Sequence, residues 1–219
     1  MDGTTKNIDI PELIPVLPVR NTVLFPNTAV PLIVGRTKSI KTVRQAQKMG
    51  DLLLIVTQKD PSKEKPETQD LYSVGVVCLI SKITHLEKES LQIVANGLFR
   101  FQITELVEHE GYLAARGFQL PEIASTDTER AEALANEIRQ IGKTILTLSG
   151  TPGADALIKL INQIEAPAQL ADLGCTFIHL NTASKQKLLE ISDLEERLNV
   201  LLSEMIREKE KLMLQHEIQ

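Results

Sequence analysis

The sequence predicts an α+β chain: a β-barrel or sandwich with one inserted helix, then an α-helical bundle ending in a long helix. Three observations predict it. Short apolar runs broken by proline, glycine and asparagine fill residues 1–120 and describe strands. After about residue 120 no strand pattern returns, and apolar residues recur at spacings of three and four instead. Between the two regimes Pro121–Thr126 reads as a hinge, so the chain divides into 1–120, 121–126 and 127–219.

Residues Met1–Ile8 are polar and read as mobile. The runs Val16–Val19, Val23–Phe25 and Ala29–Val34 follow, separated by prolines, an Arg-Asn pair and a Pro-Asn turn. Proline lacks a backbone N–H and is tolerated at strand edges, first positions and bulges. Pro15, Pro18, Pro26 and Pro31 so close together describe a strand that keeps bending, which suits a barrel wall. After Gly35 the period becomes helical through Ile40, Val43, Ala46 and Met49, up to the stop at Gly50. Leu52–Thr57 is continuously apolar, the pattern of a strand buried on both faces. Gln58–Asp70 has nothing to bury and reads as a long disordered surface loop. Ser73–Ile83 is a strand in which Gly75 marks a bulge or a close backbone approach. Ser90–Ala95 and Leu98–Leu106 flank Asn96-Gly97, a strong hairpin signal because both turn positions need positive φ. Phe99, Phe101 and Ile103 alternate with Arg100, Gln102 and Thr104, predicting one buried and one wet face. Gly111–Leu120 closes the β region, for seven or so strands.

Thr126-x-x-Glu129 reads as a capping box opening a helix along Ala131, Leu134, Ile138, Ile141, Ile145 and Leu148. Gly150, Pro152 and Gly153 end it. Asp155–Ile164 and Pro167–Leu180 are two further helices, with Pro167 suited to a first turn. Ser184–Glu190 begins a fourth, and Ser192-x-x-Glu195 restarts it with a second capping box. In the last helix Leu194, Leu198, Leu201 and Met205 form a seam, each worth roughly 1.5–3 kcal/mol when fully buried. No stop follows before Gln219, and a helix from Asp193 would run for about 40 Å. This is the pattern expected of a fragment of a larger protein.

Composition excludes several classes. With 42% hydrophobic residues the chain can bury a sizeable core. Its net charge of −5 argues against a dedicated nucleic-acid binder. No apolar run nears the ~20 residues a membrane span needs, and the amino terminus lacks signal or transit features, so a cytoplasmic location is expected. Cys78 and Cys175 sit in apolar sequence and read as buried, reduced thiols.

Candidate chemistry is sparse. Gly142-Lys143-Thr144 mimics the end of a phosphate-binding loop, but position 137 is Glu within a helix where the motif needs glycine after a strand. His85, His109, His179 and His216 are scattered without metal-ligand spacing. No Gly-x-Ser-x-Gly elbow occurs, and Ser184-Lys185 reads as a helix cap beside a surface lysine. No catalytic, cofactor-binding or metal-binding residue is therefore assigned. One basic cluster stands out in this acidic chain: Arg36, Lys38, Lys41, Arg44 and Lys48, with no acid among them. Lys41, Arg44 and Lys48 share one helical stripe. The bland reading is a solvated face. The functional reading is a polypeptide-docking patch of Arg20, Arg36, Lys38, Lys41 and Arg44, whose aliphatic stems cover apolar segments while their charges meet acidic ones. Arg20 and the Pro-rich edge add backbone contacts by strand addition.

The segments Pro15-Val16-Leu17-Pro18-Val19-Arg20, Val23-Leu24-Phe25-Pro26 and Pro31-Leu32-Ile33-Val34-Gly35-Arg36-Thr37-Lys38-Ser39-Ile40 resemble the opening of the Lon protease family's amino-terminal domain. The likeness returns at Gly97-Leu98-Phe99-Arg100, Leu170-Ala171-Asp172-Leu173 and Lys185-Gln186-Lys187-Leu188-Leu189-Glu190. The resemblance implies a barrel related to PUA modules followed by a helical bundle. It implies the substrate-recognition and assembly region of a cytoplasmic, homohexameric, ATP-dependent serine protease that degrades misfolded and regulatory proteins. ATP and magnesium are then implied for the full-length protein and no cofactor for this region. The family's ATP-binding loop and catalytic Ser and Lys have no counterpart here. Three rival readings are a free-standing Lon-like substrate receptor, a PUA-like RNA-binding module and a purely structural assembly domain; acidic charge opposes the second.

Overall fold

The computed structural model describes residues 8–218. Met1–Asn7, most of the segment expected to be mobile, and Gln219 lie outside the described residues. The β region holds β1 (Ile14–Val19), β2 (Ala29–Val34), helix α1 (Thr37–Lys48), β3 (Leu52–Thr57), β4 (Val74–His85), β5 (Leu91–His109) and β6 (Tyr112–Gln119). Five helices follow: α2 (Thr128–Ser149), α3 (Ala154–Gln163), α4 (Pro167–Phe177), α5 (Thr182–Glu190) and α6 (Leu194–Ile218).

The strands run in the order β2-β5-β4-β3-β1-β6, and an additional β5–β6 pairing closes the ring into a barrel with β2 added to its side. Among the six strands of the described residues only β1 and β3 pair in parallel, Val16 against Leu54 through Val19 against Thr57, with α1 in the crossover between them. That placement explains the unbroken apolar run of β3, whose six residues are all buried. Leu52, Leu54 and Val56 join Val16, Phe101 and Leu113 in one core. Leu53 and Ile55 join Leu17, Val19 and the Val43 and Ala46 side chains of α1 in another, which continues into the bundle through Leu170, Leu189 and Leu198.

Several sequence expectations are corrected. Asn96-Gly97 is no hairpin: β5 passes straight through it, with Asn96 opposite Ala29 on one side and Leu79 on the other. Gly97 is needed for a different reason, since a Cβ there would lie 2.3 Å from the Phe25 carbonyl oxygen. The tight turn joining β5 to β6 is Glu110-Gly111, where both residues have positive φ (48° and 83°) and His109 faces Tyr112. Val23–Phe25 is buried but forms no strand. Gly75 is a close approach, its position for a Cβ lying 2.5 Å from the Ile55 carbonyl oxygen, and the bulges of β4 come after it.

The Gln58–Asp70 segment, read as disordered, is tied down at both ends. Gln58 N–H donates to the Val19 carbonyl (2.9 Å) and Lys59 N–H to the Asp70 carbonyl (2.8 Å). Lys63 donates to Asp70 at 2.6 Å, and the Asp70 carboxylate also accepts from Glu67 N–H at 2.8 Å. A polar loop needs no core when its own hydrogen bonds hold it. Both helix starts read as capping boxes shift by one residue. Asp127 accepts from Arg130 N–H at 2.9 Å and Asp193 from Glu196 N–H at 2.8 Å, since a carboxylate caps these free N–H groups at least as well as a hydroxyl does. Likewise Asn181, not Ser184, caps α5, accepting from Ser184 N–H at 2.8 Å.

The Pro121–Thr126 segment lies against the start of α6. Ile123 N–H donates to the Ser192 carbonyl (2.9 Å), and Leu194 N–H donates back to Ile123 (3.0 Å). Its Glu122 carboxylate pairs with Arg197.

Candidate functional site

The crossover from β2 into α1 positions a cluster of cations beside the barrel. Arg36 stands at the amino-terminal cap of α1, and its guanidinium turns back over β1. It donates to the Pro18 carbonyl (2.7 Å), to Gln58 Oε1 (2.7 Å) and to the Glu64 carbonyl (3.3 Å), so one side chain staples β1 to the Gln58–Asp70 loop. Burial, with the nearby Arg20 charge second, lowers the Arg36 pKa below the ordinary guanidinium range. Pro18 suits this contact: its carbonyl points away from β3 and its nitrogen has no hydrogen left to satisfy.

Around Arg36 opens a cleft of about 800 Å³. Arg20, Lys38, Lys41 and Lys65 supply its cationic rim, Pro18, Pro66 and the largely buried Leu113 its apolar wall, and Glu64 and Glu108 its acids. The structure thus brings together Arg20, Arg36, Lys38 and Lys41 of the predicted patch. Arg44 is exposed on α1 but does not line the cleft, lying about one turn farther along the helix than Lys41. Acids absent from the linear cluster arrive from other elements: Lys38 pairs with Glu108 of β5 at 2.9 Å. Both partners are about half exposed or more, so the pair is worth less than ~1 kcal/mol and opens readily. Lys41 has no salt-bridge partner among the described residues.

A second charged cluster, missed in the sequence, joins barrel to bundle. Arg100 was expected on a wet face, yet it is 4% exposed. It donates to the Leu189 carbonyl of α5 (2.8 Å) and to Asp172 Oδ1 of α4 (2.8 Å). Asp172 in turn lies 3.9 Å from Arg197 Nε of α6. Burial pushes the Asp172 pKa up, and the Arg100 and Arg197 charges oppose that shift. The only hint in the sequence is an aspartate within Leu170-Ala171-Asp172-Leu173, otherwise apolar. Cys78 and Cys175 are free and buried, and burial drives both thiol pKa values up, that of Cys175 to about 12. Gly142, the glycine of the apparent phosphate loop, lies inside α2 with Met205 Cε 3.4 Å from where a Cβ would sit.

A closed barrel with a helical bundle locked to it and an open cationic cleft on its side is a barrel-and-bundle binding module. Residues 13–207 match the family of the ATP-dependent protease La (LON) substrate-binding domain, and the chain belongs to that family. It is 33% identical to Lon protease 2 of Myxococcus xanthus over 216 residues, 99% of this chain and 26% of that protein. It is 34% identical to Lon protease of Trichlorobacter lovleyi over 214 residues, 98% of this chain and 26% of that one. The chain thus spans about a quarter of the length of the curated relatives it matches. Among solved structures it is similar to the N-terminal domain of Mycobacterium avium complex Lon protease (TM-score 0.73, 27% identity, 88% of this chain and 97% of that one). It shares its fold with a Lon N-terminal domain protein from Xanthomonas campestris (TM-score 0.61, 17% identity, 87% of this chain and 97% of that one).

Proposed function

We propose that this chain is the substrate-engaging region of an ATP-dependent serine protease and holds unfolded polypeptide in the cleft beside α1. The observation that carries this is the convergence of Arg20, Arg36, Lys38 and Lys41 on one open cleft with apolar walls. Such a surface suits a chain without fixed structure, because aliphatic stems and prolines accept apolar side chains while the cation heads accept carboxylates. The family supports the reading, since its relatives of greater length are Lon proteases. On this reading the nucleotide and peptide-bond chemistry, with ATP and magnesium, belongs to other segments of a larger protein. That protein works in the cytoplasm as a homohexamer, removing misfolded and regulatory proteins. None of the helices among the described residues is long and apolar enough to cross a membrane.

The test is charge reversal at the two cations of α1 that line the cleft. The variant Lys38→Glu with Lys41→Glu is expected to bind a permanently unfolded protein more weakly while melting at the same temperature. Unchanged affinity would remove the cleft from the account.

A further inference from the structure

A second groove, of about 550 Å³, adjoins the cleft and shares Pro18, Arg20, Gly35, Arg36 and Ser39 with it. Its walls are the end of β1 with Arg20 on one side and the Pro31–Val34 half of β2 on the other. β2 is the terminal strand of the sheet and pairs with β5 alone. In an antiparallel pair, alternate residues turn their backbone groups toward the partner strand and away from it. Gly97 N–H donates to the Thr28 carbonyl at 2.8 Å, so Val30, Leu32 and Val34, two residues apart along the same register, face β5. The backbone groups of Ala29, Pro31 and Ile33 therefore face the groove side. Pro31 leads to the same register independently, because its nitrogen has no hydrogen for a ladder and belongs on the open side.

The open edge thus offers the N–H groups of Ala29 and Ile33 and the carbonyls of Ala29, Pro31 and Ile33. Among the described residues no turn, loop or cap backbone bond reaches these three residues. Exposed edges are ordinarily defended by charges, bulges or a covering element. β2 reads Ala-Val-Pro-Leu-Ile-Val, carries no charge, and shows Ile33 74% exposed. Pro31 is its only defence. Beyond the end of β2 the groove runs directly into the cationic cleft.

We propose that β2 takes up an extended segment of a polypeptide as an added strand. The occupant is a β-prone apolar stretch that continues into acidic residues. The stretch pairs with Ala29–Ile33, and its acids reach Arg20, Lys38 and Lys41. The inference rests on the polypeptide-holding function proposed above and specifies the kind of segment held. Backbone pairing gives a site tolerant of side-chain sequence, and the adjoining cations give it a charge preference.

The test uses the 219-residue chain and a fluorescein-labelled peptide of alternating valine and threonine ending in three glutamates. Methylating alternate backbone nitrogens of the peptide removes its ladder donors and leaves its charges in place. Affinity is expected to fall at least about tenfold, which is about 1.4 kcal/mol. Pro31→Ala restores an outward N–H and is expected to tighten binding of the unmethylated peptide about twofold, a gain that unfolding cannot produce. Equal binding of the methylated and unmethylated peptides would overturn strand addition. So would failure of the unmethylated peptide to bind while the chain still captures an unfolded protein, and in that case the broader function stands. If neither the peptide nor an unfolded protein binds, the broader function falls as well.

Discussion

Single residues decide more of this fold than their side-chain chemistry suggests. Gly97 reads as half of an Asn-Gly turn, but its role is to let the Phe25 carbonyl approach β5 where a Cβ would lie 2.3 Å away. A turn signal and a close-approach signal are both written as glycine, and only the neighbouring strand distinguishes them. Gly97→Ala is expected to cost about 1–3 kcal/mol, the usual penalty of overpacking, read as a lower midpoint in urea denaturation. A change of less than about 0.5 kcal/mol, the scatter of an ordinary surface substitution, would show that the contact has slack. Arg100 was misplaced for a related reason. Alternation along β5 says correctly which face it is on, but not that a helical bundle covers that face.

At the scale of elements, the helices, most strands and their order were legible because periodicity is a local property. The double burial of β3 and the change of regime near residue 120 both follow from it. Val23–Phe25 and the break read at Asn96-Gly97 were not legible, because they depend on the strands alongside. Loop order was not legible, since it depends on partners distant in sequence. The Gln58–Asp70 segment is the case in point, held by Arg36 from α1 and clipped by Lys63 and Asp70. The hydrogen bond from Lys63, then the one from Glu67 N–H, holds the Asp70 pKa below its ordinary 3.8. The sign follows from that direction. The folded carboxyl is the stronger acid, so the clip's stabilisation is fully present above pH 3.8 and lost as the pH falls through the lower folded value. A carboxyl carbon NMR titration should place the Asp70 midpoint below 3.8. A midpoint at or above it would mean the clip is open in solution.

For the whole molecule, the segments that carry the family resemblance are separated in sequence but meet in space at two places. Arg36 binds the Pro18 carbonyl beside the cleft, and Arg100 reaches Asp172 and the Leu189 carbonyl between barrel and bundle. The first meeting point holds four of the five cations singled out in the sequence, and the second holds none of them. The second is the structural one. Arg100→Ala leaves Asp172, 1% exposed, without its closest cation, and a broken buried pair costs about 3–5 kcal/mol. Arg100→Met combined with Asp172→Leu should recover part of that loss by filling the space with apolar atoms. Thermal unfolding of the single and double variants checks both statements, and a single variant as stable as the parent would contradict them. The cleft makes the opposite claim for Lys38 and Lys41, that these two cations serve binding and not stability. Its most direct test is a fluorescence anisotropy titration of a labelled, permanently unfolded protein with the parent chain and with the Lys38→Glu, Lys41→Glu variant. The account predicts binding weakened roughly five- to tenfold, or about 1–1.4 kcal/mol, with an unchanged melting temperature. Equal affinity for the two chains at equal stability would contradict it.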